Sequence, residues 1–379
     1  MDDLKIEAVQ PLRPTPIIRP LRRRSAKWAA YPPDVLPAWV AEMDFPLADP
    51  IKAALHEAVE RDDAGYLGPE LFGVPQALAE FAARRLDWEV DPEQVVAATD
   101  VMVGVEECLR VLTDHGAGVV ITPPVYPPFF ADVRHVDRRV VEAPLIDGAL
   151  DIGAIERAFE EGAQAILLCN PHNPLGRVWT RGELAALAEL ADEHGAWVVS
   201  DEIHGPLAHG FTPIHAVSRR AVAVTSASKA FNLAGLKLGL IVTAGGEARD
   251  RIAPIEPEAH WRAGYLGAVA ARAAFTEGDA WLDDILATLA SNRELLGELL
   301  AQHLPEVGYT PPDASFLAWL DCRFLGEDPA RTFLERGRVA LSRGLDFGAQ
   351  GAGFARLNFG TDPERLEEAV SRMAAALSR

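Results

Sequence analysis

From Asp91 onward, short apolar runs alternate with stretches of helical spacing. Val95-Val-Ala-Ala98 predicts a strand, and Asp100 opens a helix running through Leu109 to Leu112. Gly118-Val-Val-Ile121 predicts the next strand, and Pro123-Pro-Val-Tyr-Pro-Pro128 a rigid loop. Ala165-Ile-Leu-Leu-Cys-Asn170 follows as a buried strand ended by Pro171-His-Asn-Pro-Leu-Gly176. Thr180-Arg-Gly-Glu183 has the spacing of a capping box, in which hydroxyl and carboxylate satisfy each other's backbone N–H. It opens a helix to Glu193 that Gly195 stops, and Trp197-Val-Val-Ser-Asp-Glu202 and Ala221–Thr225 are further strands. Strands without polar alternation, joined by helices, predict an α/β fold with a mostly parallel sheet covered on both faces.

The ends of the chain follow other patterns. Prolines at 11, 14, 16, 20, 32 and 33 forbid long regular structure and predict an extended arm over residues 1–35. Pro50–Val59 and Leu71–Leu86 have helical spacing, with a turn expected at Gly65-Tyr-Leu-Gly68. After about residue 245 one long amphipathic helix, Trp281–Leu304, precedes strands at Ser315–Leu320 and Phe354–Asn358 and a closing helix from Asp362 to Leu377. The expected division is residues 1–50 as arm and part of a small domain, 51–280 as a large domain, and 281–379 as a smaller α+β domain.

Composition narrows the function. At 379 residues and 49% hydrophobic the chain can bury a large core and a smaller one. A net charge of −20 argues against nucleic acid or an anionic membrane as partner. The basic run Arg19–Lys27 is short and flanked by proline, and reads as a solvated or partner-packing arm. Cysteines 108, 169 and 322 lie far apart without a Cys-x-x-Cys, so structural disulfides and a zinc site are not expected and a cytoplasmic location fits. No uncharged apolar run approaches the ~20 residues of a membrane span, and Met1–Glu7 lacks the pattern of a signal peptide.

Ligands of a parallel sheet sit beyond the carboxyl ends of its strands, and Asp100, Asn173, Asp201 and Lys229 all fall at such ends. Lys229 closes Ser226-Ala-Ser-Lys229 after an apolar strand. It is either a surface lysine or a desolvated nucleophile, because burial lowers an ammonium's pKa. The same four residues fit the Ser-x-x-Lys of serine β-lactamases, but the Ser-Asp-Asn and Lys-Thr-Gly that should follow are missing. An amine beside hydroxyls that suit a phosphate suggests pyridoxal 5′-phosphate (PLP). Asp201 could cap a helix or pair with a protonated pyridine nitrogen. Asn173 could hold its turn or donate to a phenolate oxygen, as could His204. Tyr126 could stack on an aromatic cofactor or be core. Arg356, mid-strand among apolar residues, asks for a planar anion such as a substrate carboxylate. His204, His209 and His215 match no common ligand spacing, so no metal is expected. Gly348, Gly351 and Gly353 do not form a dinucleotide fingerprint.

These residues together resemble the fold-type I PLP enzymes of the aminotransferase class I/II superfamily. The carriers are Tyr126, Asn170-Pro-His-Asn-Pro-Leu-Gly176, Asp201-Glu-Ile-His204, Ser226-Ala-Ser-Lys229 and Phe354-Ala-Arg-Leu-Asn358. Leu36-Pro-Ala-Trp-Val-Ala-Glu-Met-Asp-Phe45, Lys229-Ala-Phe-Asn-Leu-Ala-Gly235, Phe316–Asp321 and Phe347–Phe354 are similar to its cystathionine β-lyase branch, the carbon–sulfur lyases. The likeness runs from about Lys27 to the end of the chain.

The resemblance implies a large PLP-binding domain, a smaller α+β domain, and a homodimer with shared sites acting on an amino acid. It implies that Lys229 forms the Schiff base and acts as the base, Asp201 binds the pyridine nitrogen, Asn173 faces the phenolate oxygen, and Tyr126 stacks on the ring. His204 stands where many aminotransferases have tyrosine. Ser226, Ser228 and the amides of Val101 and Met102 would hold the phosphate at a helix N-terminus, joined by Tyr66 from the neighbouring subunit. Arg356 would clamp the α-carboxylate. The chain departs from the pattern in three places: Lys237, where aminotransferases usually carry arginine; Asp100, where a small hydroxyl residue is more usual; and Ser342-Arg343-Gly344, which replaces a proline–glycine. The expected activity is β-elimination from cystathionine or another cysteine S-conjugate, with transamination or a purely regulatory binding role as alternatives.

Overall fold

A computed structural model describes residues 23–255, 259 and 261–378. Most of the proline-rich arm and Arg19–Leu21 and Arg22 of the basic run therefore lie outside the described residues.

In chain order the strands are β1 (Leu36–Pro37), β2 (Val95–Ala98), β3 (Gly118–Ile121), β4 (Arg139–Glu142), β5 (Ala163–Cys169), β6 (Trp197–Asp201), β7 (Val222–Thr225), β8 (Gly239–Thr243), β9 (Gly308–Tyr309), β10 (Leu317–Asp321), β11 (Val339–Ala340), β12 (Ser342–Arg343) and β13 (Phe354–Asn358). A seven-stranded sheet has the order β2-β8-β7-β6-β5-β3-β4, in which β8 alone runs against its neighbours. Successive side chains of a strand point to opposite faces, and here both sets are apolar. Val96, Leu167, Val199, Val224 and Ile241 pack under the helices Val101–Leu112 and Pro128–His135. Leu168, Val198, Ala223, Leu240 and Val242 join a cluster with the helices Val74–Leu86, Arg181–Glu193 and Tyr265–Glu277. This is the α/β sheet covered on both faces that the apolar runs predict.

The C-terminal part builds an antiparallel sheet, β12-β13-β10-β9, against the helices Asp279–His303 and Pro363–Leu377. β1 pairs in parallel with β11, so the chain just after the arm is stitched to the far end of the sequence. Its continuation, residues 38–45, joins no strand, bends at Val40 and Ala41, and is held mainly by side chains. Asn358 donates from Nδ2 to the carbonyls of Val40 (2.7 Å) and Glu42 (2.8 Å). Asn232, at φ 60°, both accepts from the Met43 N–H (3.0 Å) and donates to the Met43 carbonyl (2.9 Å).

The basic run departs from expectation. A short helix, Ala26–Ala29, interrupts the arm, and Lys27 is 1% exposed. Its ammonium donates to Asp44 Oδ1 (2.8 Å) and the Glu42 carbonyl (2.9 Å), while Arg365 donates to Asp44 Oδ2 (3.0 Å). Burial pulls the Lys27 pKa down against the pull of Asp44. An ion pair sealed under Trp28 replaces a solvated charge. Gly65–Gly68 carries no turn; the turn falls at Pro69-Glu70. The helix expected from Leu71 is broken at Phe72 (φ 55°), where a 3₁₀ turn gives way to Val74–Leu86.

Gly239, at the head of β8, touches the start of the helix Val101–Leu112. A Cβ there would lie 2.5 Å from the Asp100 carbonyl carbon and 2.8 Å from the Val101 nitrogen, both backbone atoms that cannot rotate away. Gly239→Ala should therefore destabilise the protein by about 1–3 kcal/mol or more. Guanidinium unfolding of the two proteins tests this, and equal midpoints would contradict the close approach.

Candidate active site

The site lies at the carboxyl ends of β5, β6 and β7, between the sheet and the C-terminal lobe. After β7 the chain turns on Ser226, whose Oγ donates to the Leu238 carbonyl (2.6 Å), accepts from the Ser228 N–H (3.1 Å) and bonds the Ser228 hydroxyl (2.8 Å). The turn projects Lys229 into the cleft, where Nζ donates to the Ala41 carbonyl (2.9 Å). Burial, and then the nearby Arg356 guanidinium, bring the Lys229 pKa down to about 8, with Asp201 and Glu42 pulling the other way. About a tenth of this amine is neutral at pH 7, far more than for an ordinary lysine.

Asp201 ends β6, is 4% exposed, and accepts from the Ile203 N–H (3.1 Å). Burial raises its carboxyl to about 6. Strand alternation turns Glu202 the other way, into a sealed pocket. There Oε1 accepts from Ile214 N (2.8 Å), Ser200 Oγ (3.0 Å) and Asn170 Nδ2 (3.2 Å), and Oε2 has no partner. His204 is buried with Nδ1 against Ser315 Oγ (3.1 Å), and burial followed by the charge of Lys229 lowers it to about 3. It is a neutral imidazole joining the two lobes.

Arg356, central in β13, is 5% exposed. Nη1 donates to Asn173 Oδ1 (2.9 Å), and Nη2 to the Trp39 carbonyl (3.0 Å) and Ser342 Oγ (3.1 Å). Phe347 lies under the guanidinium at 4.9 Å, and burial lowers the Arg356 pKa to about 10. Its buried Nε–H has no partner. The bond from Arg356 fixes the Asn173 oxygen and leaves its amide nitrogen as the end to offer a ligand. Below it, Cys169 Sγ accepts from the Asn173 N–H (3.3 Å). Tyr126 is half-buried beside Phe129 and feels Asp201 and Arg356; burial, then Asp201, pushes its phenol up to about 12.

The first turn of Val101–Leu112, with the amides of Val101 and Met102, faces the same end of the sheet. Asp100 caps this helix by accepting from Val103 N (3.0 Å) and pairs with Lys237 (2.7 Å). Burial raises the Asp100 carboxyl, but the Lys237 and backbone N–H bonds outweigh it and the net shift is down. Tyr66 stands apart, 79% exposed, with its ring edge-on to Trp261. The chain thus brings together Lys229, Asp201, Asn173, His204, Tyr126, Ser226, Ser228, Arg356 and the helix N-terminus, and leaves Tyr66 on the surface.

Several participants were not legible in the sequence. The carbonyls of Trp39 and Ala41 carry no side-chain signal. Ser315 lies at a β-turn-like position (φ 72°) just before a strand. Ser342 belongs to a stretch singled out only as a departure, yet its hydroxyl holds Arg356 and donates to the Trp39 carbonyl (2.5 Å).

These groups fit PLP: an amine of lowered pKa, a buried carboxylate, two hydroxyls beside a helix N-terminus, and an orphaned buried N–H on Arg356 for an anion. Residues 40–373 match the family described as aminotransferase class I and II. The chain belongs to that family. Within the aminotransferase class I and II family it is 36% identical to a cystathionine β-lyase of Corynebacterium glutamicum, over 94% of this chain and 97% of that one. It is 35% identical to the cystathionine β-lyase PatB of Bacillus subtilis, over 91% and 93%. Cystalysin of Treponema denticola, solved with a PLP cofactor, superposes with a TM-score of 0.87 at 25% identity, over 93% and 95%. The fold is that of fold-type I PLP enzymes.

Glu202 gives the stability of this site a pH dependence. Burial holds its carboxyl near 8, against an ordinary 4.5. In the unfolded chain it ionises from about 4.5, so between these values the folded protein binds more protons, and stability falls as pH rises. Gln mimics the protonated acid and does not titrate, so denaturation midpoints of wild type and Glu202→Gln across pH 5 to 8 should lie together at low pH and separate toward high pH as the wild type loses stability. Parallel curves would rule Glu202 out.

Proposed function

We propose that the protein is a PLP-dependent carbon–sulfur β-lyase, cleaving cystathionine or a related cysteine S-conjugate to a thiol, pyruvate and ammonia. The observation that carries this is the pairing of a lysine of lowered pKa with a buried arginine whose Nε–H has no partner. An α-amino acid presents an acidic Cα–H and a carboxylate in one unit, which those two groups match. The relatives named cystathionine β-lyase support the choice of substrate class.

PLP, when bound, supplies an aldehyde that condenses with amines and a ring that accepts the electron pair released at Cα. The rest is the work of the chain. Arg356 receives the α-carboxylate, held in plane by Asn173, Ser342 and the Trp39 carbonyl. Asp201 holds a proton-bearing ring nitrogen by its charge; such a cation favours its ionised form. Asn173 donates to the ring oxygen and Tyr126 covers the ring. Ser226, Ser228 and the amides of Val101 and Met102 receive the phosphate. Lys229 takes the Cα proton, and the Cβ–S electron pair leaves with the sulfur as thiolate while Cα and Cβ become doubly bonded. Water then converts the released enamine to pyruvate and ammonia. Tyr66, exposed on its own chain, belongs in this reading to the phosphate site of a second copy, so the active form is a homodimer.

The purified protein given L-cystathionine should release thiol and pyruvate with no keto acid added. Turnover only with an added keto acid would instead assign an aminotransferase. Lys229→Ala should abolish turnover. Arg356→Lys keeps the charge but loses the planar fork, so KM should rise about tenfold or more, matching the ~1.4 kcal/mol of a lost charge-assisted bond. An unchanged KM would remove Arg356 from the carboxylate site.

A further inference from the structure

The ion pair between Asp100 and Lys237 is not used by the chemistry above. Asp100 precedes the first turn of the helix Val101–Leu112, with Oδ1 on the Val103 N–H and Oδ2 on Lys237 Nζ at 2.7 Å. Lys237 is held in place by its backbone. It has φ 58°, and its carbonyl accepts from Gly264 N (3.0 Å). Its neighbour Leu238 gives its carbonyl to Ser226 Oγ, and Gly239 packs on the Asp100 backbone. The pair therefore spans the rim formed by the two serine hydroxyls and the helix N-terminus. Its charge reaches into the cleft, since Lys237 acts on the Lys229 ammonium.

A helix N-terminus with two hydroxyls and one cation is an anion receptor. Here a carboxylate already occupies part of that end and neutralises the cation. We propose that Asp100 weakens phosphate binding in this protein: it engages Lys237 in an ion pair and sets a fixed negative charge beside the phosphate of PLP. This rests on the reading of the site as a PLP site. It assigns to Asp100 and Lys237 opposing influences on one group of the cofactor. Lys237 attracts the phosphate only to the extent that Asp100 releases it.

The test is binding of PLP and of pyridoxal, which lacks the phosphate, to the apoprotein, followed by the borohydride-reducible label on Lys229. Asp100→Asn keeps the shape and can still cap the helix; Asp100→Ser is a second capping variant. Removing one charge near a phosphate dianion at a half-exposed site should tighten PLP about tenfold or more, less at high salt. Pyridoxal affinity should not move. Lys237→Met should loosen PLP, leaving Asp100 unpaired, and adding Asp100→Asn to it should recover most of the loss. Equal or weaker PLP binding in both Asp100 variants overturns the inference, and so does an equal gain for pyridoxal. If wild type takes up neither aldehyde, the PLP reading itself fails.

Discussion

The structure depends on the carbonyls of one irregular segment, residues 39–43. Irregular backbone away from a sheet leaves its C=O groups without ladder partners, and buried carbonyls must find donors. Side-chain donors come from elsewhere in the chain: Arg356 and Ser342 for Trp39, Asn358 for Val40 (which also accepts from the Glu42 N–H), Lys229 for Ala41, Lys27 and Asn358 for Glu42, and Arg23 and Asn232 for Met43. Trp39 and Ala41 are two residues apart, on a stretch of chain that bends at Val40 and Ala41. The reactive amine and the carboxylate-binding arginine are both measured off that one piece of backbone.

This arrangement explains what could and could not be read beforehand. Strands β2, β3, β5 and β6 were legible because both of their faces are buried, which writes them as uninterrupted apolar runs. Edge strand β4 was not, because Arg139 and Glu142 face solvent and break the pattern. β8 was not among the strands read, although it too is buried throughout. The site was legible as far as it consists of side chains at strand ends: Asp201, Asn173, Lys229 and Arg356 converge as expected. The burial of Lys27 was not anticipated, because a basic run suggests solvent or a partner and nothing local announces that Asp44 will meet its lysine inside.

Charge is distributed by strand geometry as much as by residue type. Asp201 and Glu202 are neighbours, both desolvated and both raised, yet they face opposite sides of β6. One is left with a single backbone donor and an open cleft; the other is surrounded by three donors in a closed pocket. The first is available to a cationic ligand, while the second is a fixture of the core. Pairing a usable acid with an unusable one in consecutive positions needs no more than a period of two.

The two-way amide clasp of Asn232 on Met43 has a further meaning. A side-chain amide that reads both the N–H and the C=O of one residue behaves like an alignment key, accepting only that residue in only that orientation. Asn232 lies three positions beyond Lys229, in the same loop. Sliding the segment by one residue would present a different backbone to the amide in place of Met43, and the key would no longer fit. A distant pair of backbone atoms thus sets the phase of the segment against the loop, and with it which carbonyl the reactive amine meets.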